Sequence, residues 1–298
     1  MKKCKALLML VTLCMMMTAC GSFGGIVSQD DTEDKSVAAT SAAILDILDA
    51  LDYDNVVGIP ETEKTIPSRY AEVTTIGAPM APDVEALAAL SADVVLSPKS
   101  LESDLAESYT NAGLNSAFMD LSSVEGMYDS ITSLGEYLNR EAEAEALVDA
   151  YEQAMEKYAA NQSESLSVLI LMAFPDGFYL VANDSSYVGD LVSIAGGTNV
   201  YPSTDSEDDY GFVSVNPEDM VTTDPDVILI FAHYDEEDAF AYMQEEMQTE
   251  ESWQYYDAVT EGKVYYLPSD LFGMSADLNW SDGVDYLQEL FFGGDTND

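Results

Sequence analysis

The sequence predicts an α/β fold of two lobes joined by a single long helix, and three observations carry that reading. Short, fully apolar runs alternate with helical periodicity in both halves of the chain, as βα units do. Between the halves, Glu141 to Ala160 runs without Gly or Pro, about twenty residues that make a rod of roughly 30 Å at 1.5 Å rise. Finally, the halves echo each other. Glu85 stands eight residues before Asp93-Val94-Val95-Leu96, and Glu218 stands eight before Asp226-Val227-Ile228-Leu229; recurrence at one spacing favours two related lobes.

Taken in order, the chain starts with Lys2, Lys3 and Lys5 before an apolar run from Ala6 to Met17. That is the layout of an export signal and is too short to span a bilayer. Small residues precede Cys20, so 1–19 reads as a lipoprotein signal peptide and Cys20 as the lipid-bearing first residue. With Cys4 and Cys14 removed, no disulfide or thiol chemistry remains. Residues 20–36, Gly-rich and then acidic, read as a flexible tether. A first lobe is expected over 37–140, the connecting helix over 141–160 and a second lobe over 161–298.

In the first lobe, Ala38 to Leu51 carries helical periodicity, with Thr40 or Ser41 placed to cap its start. Strands are expected at Val56 to Ile59, Val94 to Leu96 and Ser116 to Phe118, with helices near Val84 to Leu90 and Leu101 to Ala112. Met127 to Leu138 is helical, and the rod shows a stripe of Leu147, Val148, Tyr151, Met155 and Tyr158. The second lobe offers strands at Ser167 to Met172, Tyr179 to Val181, Val227 to Phe231 and Val264 to Tyr266. Its helices lie near Tyr187 to Ala195, Glu236 to Glu245 and Gly283 to Phe291, and Gly196-Gly197 ends the first of these before a strand. In open α/β sheets ligands sit beyond the carboxyl ends of strands, which predicts a cleft between the lobes.

Charge and inventory exclude whole classes of function. The formal net charge is −46, from 56 acidic and 10 basic residues; loss of the leader removes three lysines and no acid, leaving −49. Such a surface repels phosphate backbones, so nucleic acid is not a partner. A single histidine excludes two-His metalloprotease and three-His zinc sites. No Gly-x-Ser-x-Gly elbow or phosphate loop occurs. The many carboxylates leave a surface carbohydrate-active hydrolase as the rival from another class, although no spacing recommends one.

Two positions stand out chemically. Met80 lies in Gly77-Ala78-Pro79-Met80-Ala81-Pro82, where the prolines are expected to hold an extended, rigid loop. His233 follows the strand Val227 to Phe231 and so projects at its carboxyl end. Imidazole nitrogen and thioether sulfur are a known axial pair for haem iron. Taken alone, a loop methionine is more often core filler and a lone histidine an ordinary polar side chain.

At these residues the chain resembles the helical-backbone solute-binding lipoproteins of ABC importers, and among them the haem receptors of iron-regulated surface determinant systems. The resemblance runs from about Val37 to Phe291, through Val57-Gly58-Ile59-Pro60, Pro67-Ser68-Arg69-Tyr70, Gly77-Ala78-Pro79-Met80, Tyr187-Val188-Gly189-Asp190-Leu191-Val192, Asn216-Pro217-Glu218, Ala232-His233 and Leu271-Phe272-Gly273-Met274. It implies haem (iron protoporphyrin IX) as ligand, Met80 and His233 as axial ligands, and no catalytic turnover. It also implies lipid anchoring on the extracellular face of the cell membrane and no other membrane contact. The implied partners are an ABC permease with its ATPase, docked through Glu85 and Glu218, and an upstream haem-donor surface protein.

The same family includes carriers of cobalamin and ferric siderophores, which remain alternatives. Anionic siderophores generally require several cations, and only seven Lys or Arg follow the leader. Haem asks for hydrophobic walls, one cation and helix-start amides for its propionates; Lys64, the amides near Thr40 and Ser41, and Tyr187 are the candidates. The acidic loop from Thr204 to Tyr210 is unlike those receptors and is expected to bend outward.

Overall fold

The computed structural model describes residues 34–159, 166–203, 211–215 and 223–293. Cys20, Glu218 and the acidic loop 204–210 lie outside the described residues.

The first lobe is built on a five-stranded, wholly parallel sheet. Its strands are β1 (Val37–Ala39), β2 (Val56–Ile59), β3 (Thr74–Thr75), β6 (Val94–Pro98) and β7 (Ser116–Met119), in the order β3-β2-β1-β6-β7. The central strand is β1, and here the expectation of one helix from Ala38 is corrected. The helix α1 is Ala42–Ala50, while Val37, Ala38 and Ala39 are fully buried between two neighbours. A three-residue apolar strand running straight into an apolar helix has no period of its own to betray it. The break falls at Ser41, whose extended backbone and side chain cap α1 by accepting from the Ile44 N–H at 3.4 Å.

The remaining helices of this half follow their sequence signals. Asp83 caps α2 (Val84–Leu90), accepting from the N–H groups of Glu85 and Ala86 at 3.0 and 2.9 Å. α3 is Glu102–Asn111 and α4 is Val124–Leu138, capped by Ser123 and ended by Asn139 in the left-handed conformation. α5, the connecting helix, is Glu141–Ala159. Its partly buried Leu147, Val148, Tyr151 and Met155 lie against the core, the stripe read from the sequence.

In the second lobe, β8 (Leu166–Ala173) pairs in parallel with β12 (Val227–Ala232), which pairs with β13 (Val264–Tyr266). On the other side β8 meets antiparallel β9 (Tyr179–Ala182) at its carboxyl end and parallel β10 (Gly197–Asn199) at its start; β11 (Phe212–Val213) runs antiparallel to β9. Among the described residues the helices are α6 (Tyr187–Ala195), α7 (Glu236–Thr249), α8 (Asp257–Thr260) and α9 (Trp280–Phe292). The close approach of α6 to the preceding loop requires Gly189: a Cβ there would sit 2.1 Å from the Asn183 carbonyl oxygen.

One buried cluster runs through both lobes, from Ile44 and Leu96 through Ile131 and Leu134 to Ile170, Leu191 and Trp280. At its centre Tyr128 stacks on Tyr151 with ring centroids 4.4 Å apart, and Trp280 donates its indole N–H to the Tyr128 hydroxyl at 3.2 Å. The lobes therefore share a core as well as a connecting helix.

The sequence echo has a structural counterpart. Immediately before paired residues Val37 and Val94, Ser36 donates its N–H and hydroxyl to Asp93 at 2.7 and 2.8 Å. Immediately before paired residues Val168 and Val227, Ser167 does the same to Asp226 at 2.8 and 2.6 Å. Both aspartates return their own N–H to the serine. The same clasp thus closes the amino edge of the central strand pair in each lobe.

Candidate functional site

The site is built from the carboxyl-end edges of the two sheets. Beyond β3, the segment 77–82 forms a two-stranded ribbon of β4 (Gly77–Ala78) and β5 (Ala81–Pro82), with Pro79 and Met80 as its turn. The expected extended loop is thus a tight hairpin, because proline pre-sets the first turn position. Gly77 is required beneath it, with φ +88 and the Asp83 nitrogen 3.1 Å from where a Cβ would lie. The hairpin leaves Met80 64% exposed at its tip. An apolar thioether held in solvent on a rigid turn is not core filler, and it is available to a ligand.

His233 follows β12 directly and is tied to the sheet by its N–H, which donates to the Ala173 carbonyl at 3.0 Å. The ring is half-buried beside Phe174 and Tyr234, with centroids at 5.0 and 5.3 Å. Burial pushes its pKa below the ordinary histidine value, which favours the neutral form that binds metals. Its Nδ1 is buried without a hydrogen-bond partner among the described residues. A buried polar atom left unpaired costs about 1–3 kcal/mol. With Nδ1 sealed from solvent, Nε2 is the imidazole nitrogen left to reach a ligand, and a ring set among aromatic side chains fits an axial ligand of a metalloporphyrin.

Sequence reasoning missed the wall itself. Phe174 stacks at a tilt on Phe178, centroids 5.4 Å apart, and Phe178 and Tyr234 are 47% and 54% exposed. Large aromatics in solvent next to a lone histidine mark a ligand surface better than a packing defect. Phe174-Pro175-Asp176-Gly177-Phe178 was the available signal: a turn flanked by aromatics, directly after β8.

The anion-binding candidates are distributed over both lobes. Thr40 is buried and gives its hydroxyl to Ser97 at 2.9 Å, so its side chain is committed within the first lobe. Ser41 caps α1, which leaves the first-turn N–H groups of Ala42 and Ala43 as the donors that an anion could use. Lys64, beyond β2, is 58% exposed and stands 3.8 Å from Asp277 of the second lobe. Tyr187, at the first position of α6, is 2% exposed, with its hydroxyl beside the Asp277 backbone and without a hydrogen bond of regular geometry among the described residues. Burial and the nearby Asp277 raise its pKa. The structure thus brings Lys64 and Tyr187 to one carboxylate, Asp277, which nothing in the sequence singles out among so many acids.

Asp46 lies on α1. Its pKa is pushed up to about 6 by burial, with repulsion from Asp277 and Asp49 added and Lys64 offsetting. The other described basic side chains are committed elsewhere: Arg69 to Asp49, Asp52 and Asp54, Lys99 to Asp120, Arg140 to Asp34, Lys157 to Asp285 and Lys263 to Glu261. Lys35 bonds the Tyr137 carbonyl. Glu85 is exposed in the first turn of α2. No group of three or more His, Cys, Asp or Glu among the described residues forms a metal cluster.

Residues 37–271 match the family model of periplasmic binding proteins. The high-affinity heme uptake system protein IsdE of Staphylococcus aureus is 36% identical over 297 residues, covering 98% of this chain and 99% of its own length. An ABC transporter substrate-binding protein from Listeria monocytogenes superposes with a TM-score of 0.82 at 35% identity, over 88% of this chain and 100% of its own. S. aureus IsdE complexed with heme superposes with a TM-score of 0.81 at 36% identity, over 87% of this chain and 100% of its own.

Proposed function

The chain belongs to the periplasmic binding protein family, and from that premise we propose that it captures haem outside the cell and delivers it to an ABC importer. The family and the relatives above are solute carriers, not enzymes. Haem is cargo here. The observation that carries the reading is His233: the only histidine of the chain, set at a strand's carboxyl end with its ring beside Phe174 and Tyr234 and held toward the neutral form by burial. Full-length similarity to a heme uptake protein at 36% identity supports it.

In this reading His233 and Met80 hold the iron from opposite lobes, in a cleft between the carboxyl edges of the two sheets. Phe174, Phe178 and Tyr234 supply the apolar wall that a macrocycle needs. The propionates meet Lys64, the Ala42 and Ala43 N–H groups and the Tyr187 hydroxyl. Imidazole is the stronger iron donor, and Met80 closes the site from the other side.

Cys20, which lies outside the described residues, carries the lipid that holds the protein on the extracellular face of the membrane. No helix among the described residues is long and apolar enough to cross one. Glu85 and Glu218 dock on the two permease subunits, and the ATPase drives release. Titration with haemin and with cobalamin tests the cargo. Haemin should give a saturable, red-shifted Soret band at one equivalent and cobalamin no binding; the reverse pattern would assign the site to a corrinoid.

A further inference from the structure

Only seven Lys or Arg follow the leader, and the fold distributes them unevenly. Lys35 precedes β1, while Arg140 and Arg69 pair with Asp34 and Asp54, which lie just before β1 and β2. Lys263 directly precedes β13, and Lys157 lies in the last turn of the connecting helix. That leaves Lys64 and Lys99 as the two cations at the carboxyl edge of the first sheet, the edge where ligands of open α/β folds lie. Lys99 directly follows β6 and pairs at 3.0 Å with Asp120, which directly follows β7. Asp120 is fixed by Ser122, whose N–H and hydroxyl reach its other oxygen at 3.2 and 2.6 Å. The ion pair occupies one of three ammonium donors of a side chain that is 52% exposed, so two remain available.

The two lysines converge on one seam between the lobes. There the Ala276 N–H donates to the Leu121 carbonyl at 2.7 Å. Asp277 and Asp120 are the chain neighbours of those two residues, so the Lys64–Asp277 and Lys99–Asp120 pairs flank that single cross-lobe bond. The start of α1 is held at the same edge: Thr40 donates its N–H to the Leu96 carbonyl at 3.0 Å and its hydroxyl to Ser97 at 2.9 Å, two residues before Lys99. In the sheet, β2 and β6 lie on either side of β1, about 10 Å apart at the usual strand spacing. The first-turn amides of α1 are thereby placed between the strand that leads to Lys64 and the strand that ends at Lys99.

We propose that Lys99 is a second cation of the ligand site, taking one carboxylate of a dicarboxylate porphyrin while Lys64 takes the other, with Asp120 and Asp277 holding the two ammonium groups in place. This rests on the haem reading and adds the residue that lets the site recognise two carboxylates on one ring edge. Exposed ion pairs contribute little to stability, so the fold itself has small use for two of its few cations here. Each aspartate also opposes the arriving carboxylate, which moderates the hold on the ligand. Removing the charge of Asp120 must therefore act in the opposite direction to removing that of Lys99.

Haemin and haemin dimethyl ester share iron ligation and differ in two charges, so titrating both into the mature chain isolates the lysines. Lys99→Met should weaken haemin severalfold and leave the ester unchanged, and Lys99→Arg should keep most of the haemin affinity. Lys64→Met combined with Lys99→Met should lose the product of the two single losses, since each serves its own carboxylate. Asp120→Asn should tighten haemin alone, and it carries the test if Lys99→Met does not fold. Lys157→Met, which removes another aspartate-paired lysine from the connecting helix, controls for the general field of an acidic chain and should change neither porphyrin. Unchanged haemin affinity in Lys99→Met, an equal loss for the ester, an equal loss in Lys157→Met, or no selective tightening in Asp120→Asn would each overturn the role of Lys99 and leave the haem reading standing. Binding of neither porphyrin by the parent chain would overturn both.

Discussion

Asp226 stands to Ser167 as Asp93 stands to Ser36: in each pair one carboxylate oxygen accepts both the N–H and the hydroxyl of the serine, across the amino edge of two paired strands. Hydrogen bonds from serine hold both aspartates below the usual carboxylate range, the backbone N–H of Ser36 leading at Asp93 and the Ser167 hydroxyl at Asp226. A carboxylate depressed in the folded state contributes stability that is present above its unfolded pKa and is lost as pH falls through the folded pKa. Because both are largely exposed, each clasp is worth about 1 kcal/mol. Asp226→Asn should lower the denaturation midpoint at pH 7, and the deficit should shrink as the pH falls through the lowered folded pKa. A deficit that persists in acid would show that the clasp acts through packing and not charge.

Net charge governs stability more broadly. With −46 formal charge and every described basic residue past the leader already engaged, the folded chain repels itself. Raising NaCl from low concentration to about 0.5 M shrinks the Debye length to a few ångström, and the thermal midpoint should rise by several degrees. A flat or falling midpoint would mean that the ion pairs outweigh the repulsion.

Much of the fold was legible in the sequence because its elements announce themselves through period and punctuation. β2, α2, α6 and β13 match their expected bounds, and α5 ends within one residue of expectation. β1, β3, the 77–82 hairpin and β11 were not legible: two or three residues cannot show a period, and their strand character comes from neighbours in the sheet. The site divides in the same way. Met80 and His233 were conspicuous by rarity and context, whereas Asp277 was hidden among 56 acids and acquires meaning only through its place 3.8 Å from Lys64.

The proposed lipid anchor is tested by Cys20→Ser, which should move the protein from the membrane fraction to the medium or the soluble fraction. Retention on the membrane after that single change would point to another anchor.

The docking role of the paired glutamates predicts that Glu85→Ala with Glu218→Ala leaves haemin binding intact and sharply reduces haem-stimulated ATPase activity in vesicles containing the importer. Rim charges set encounter and register more than affinity. The control must match the charge change, for which Asp149 and Glu156 on α5 serve. Equal losses in that control would reduce the effect to the general field of an acidic protein.

The central claim is that iron is held by His233 and Met80, and the direct measurement is the absorption spectrum of the haemin complex in the two single variants. His233→Ala should lose most of the six-coordinate low-spin spectrum, since the chain has no second histidine and nitrogen is the stronger donor. Met80→Ala should alter the spectrum less and weaken binding modestly, because the apolar wall still holds the ring. Haemin complexes of both variants with spectra unchanged from the parent would contradict the ligand assignment.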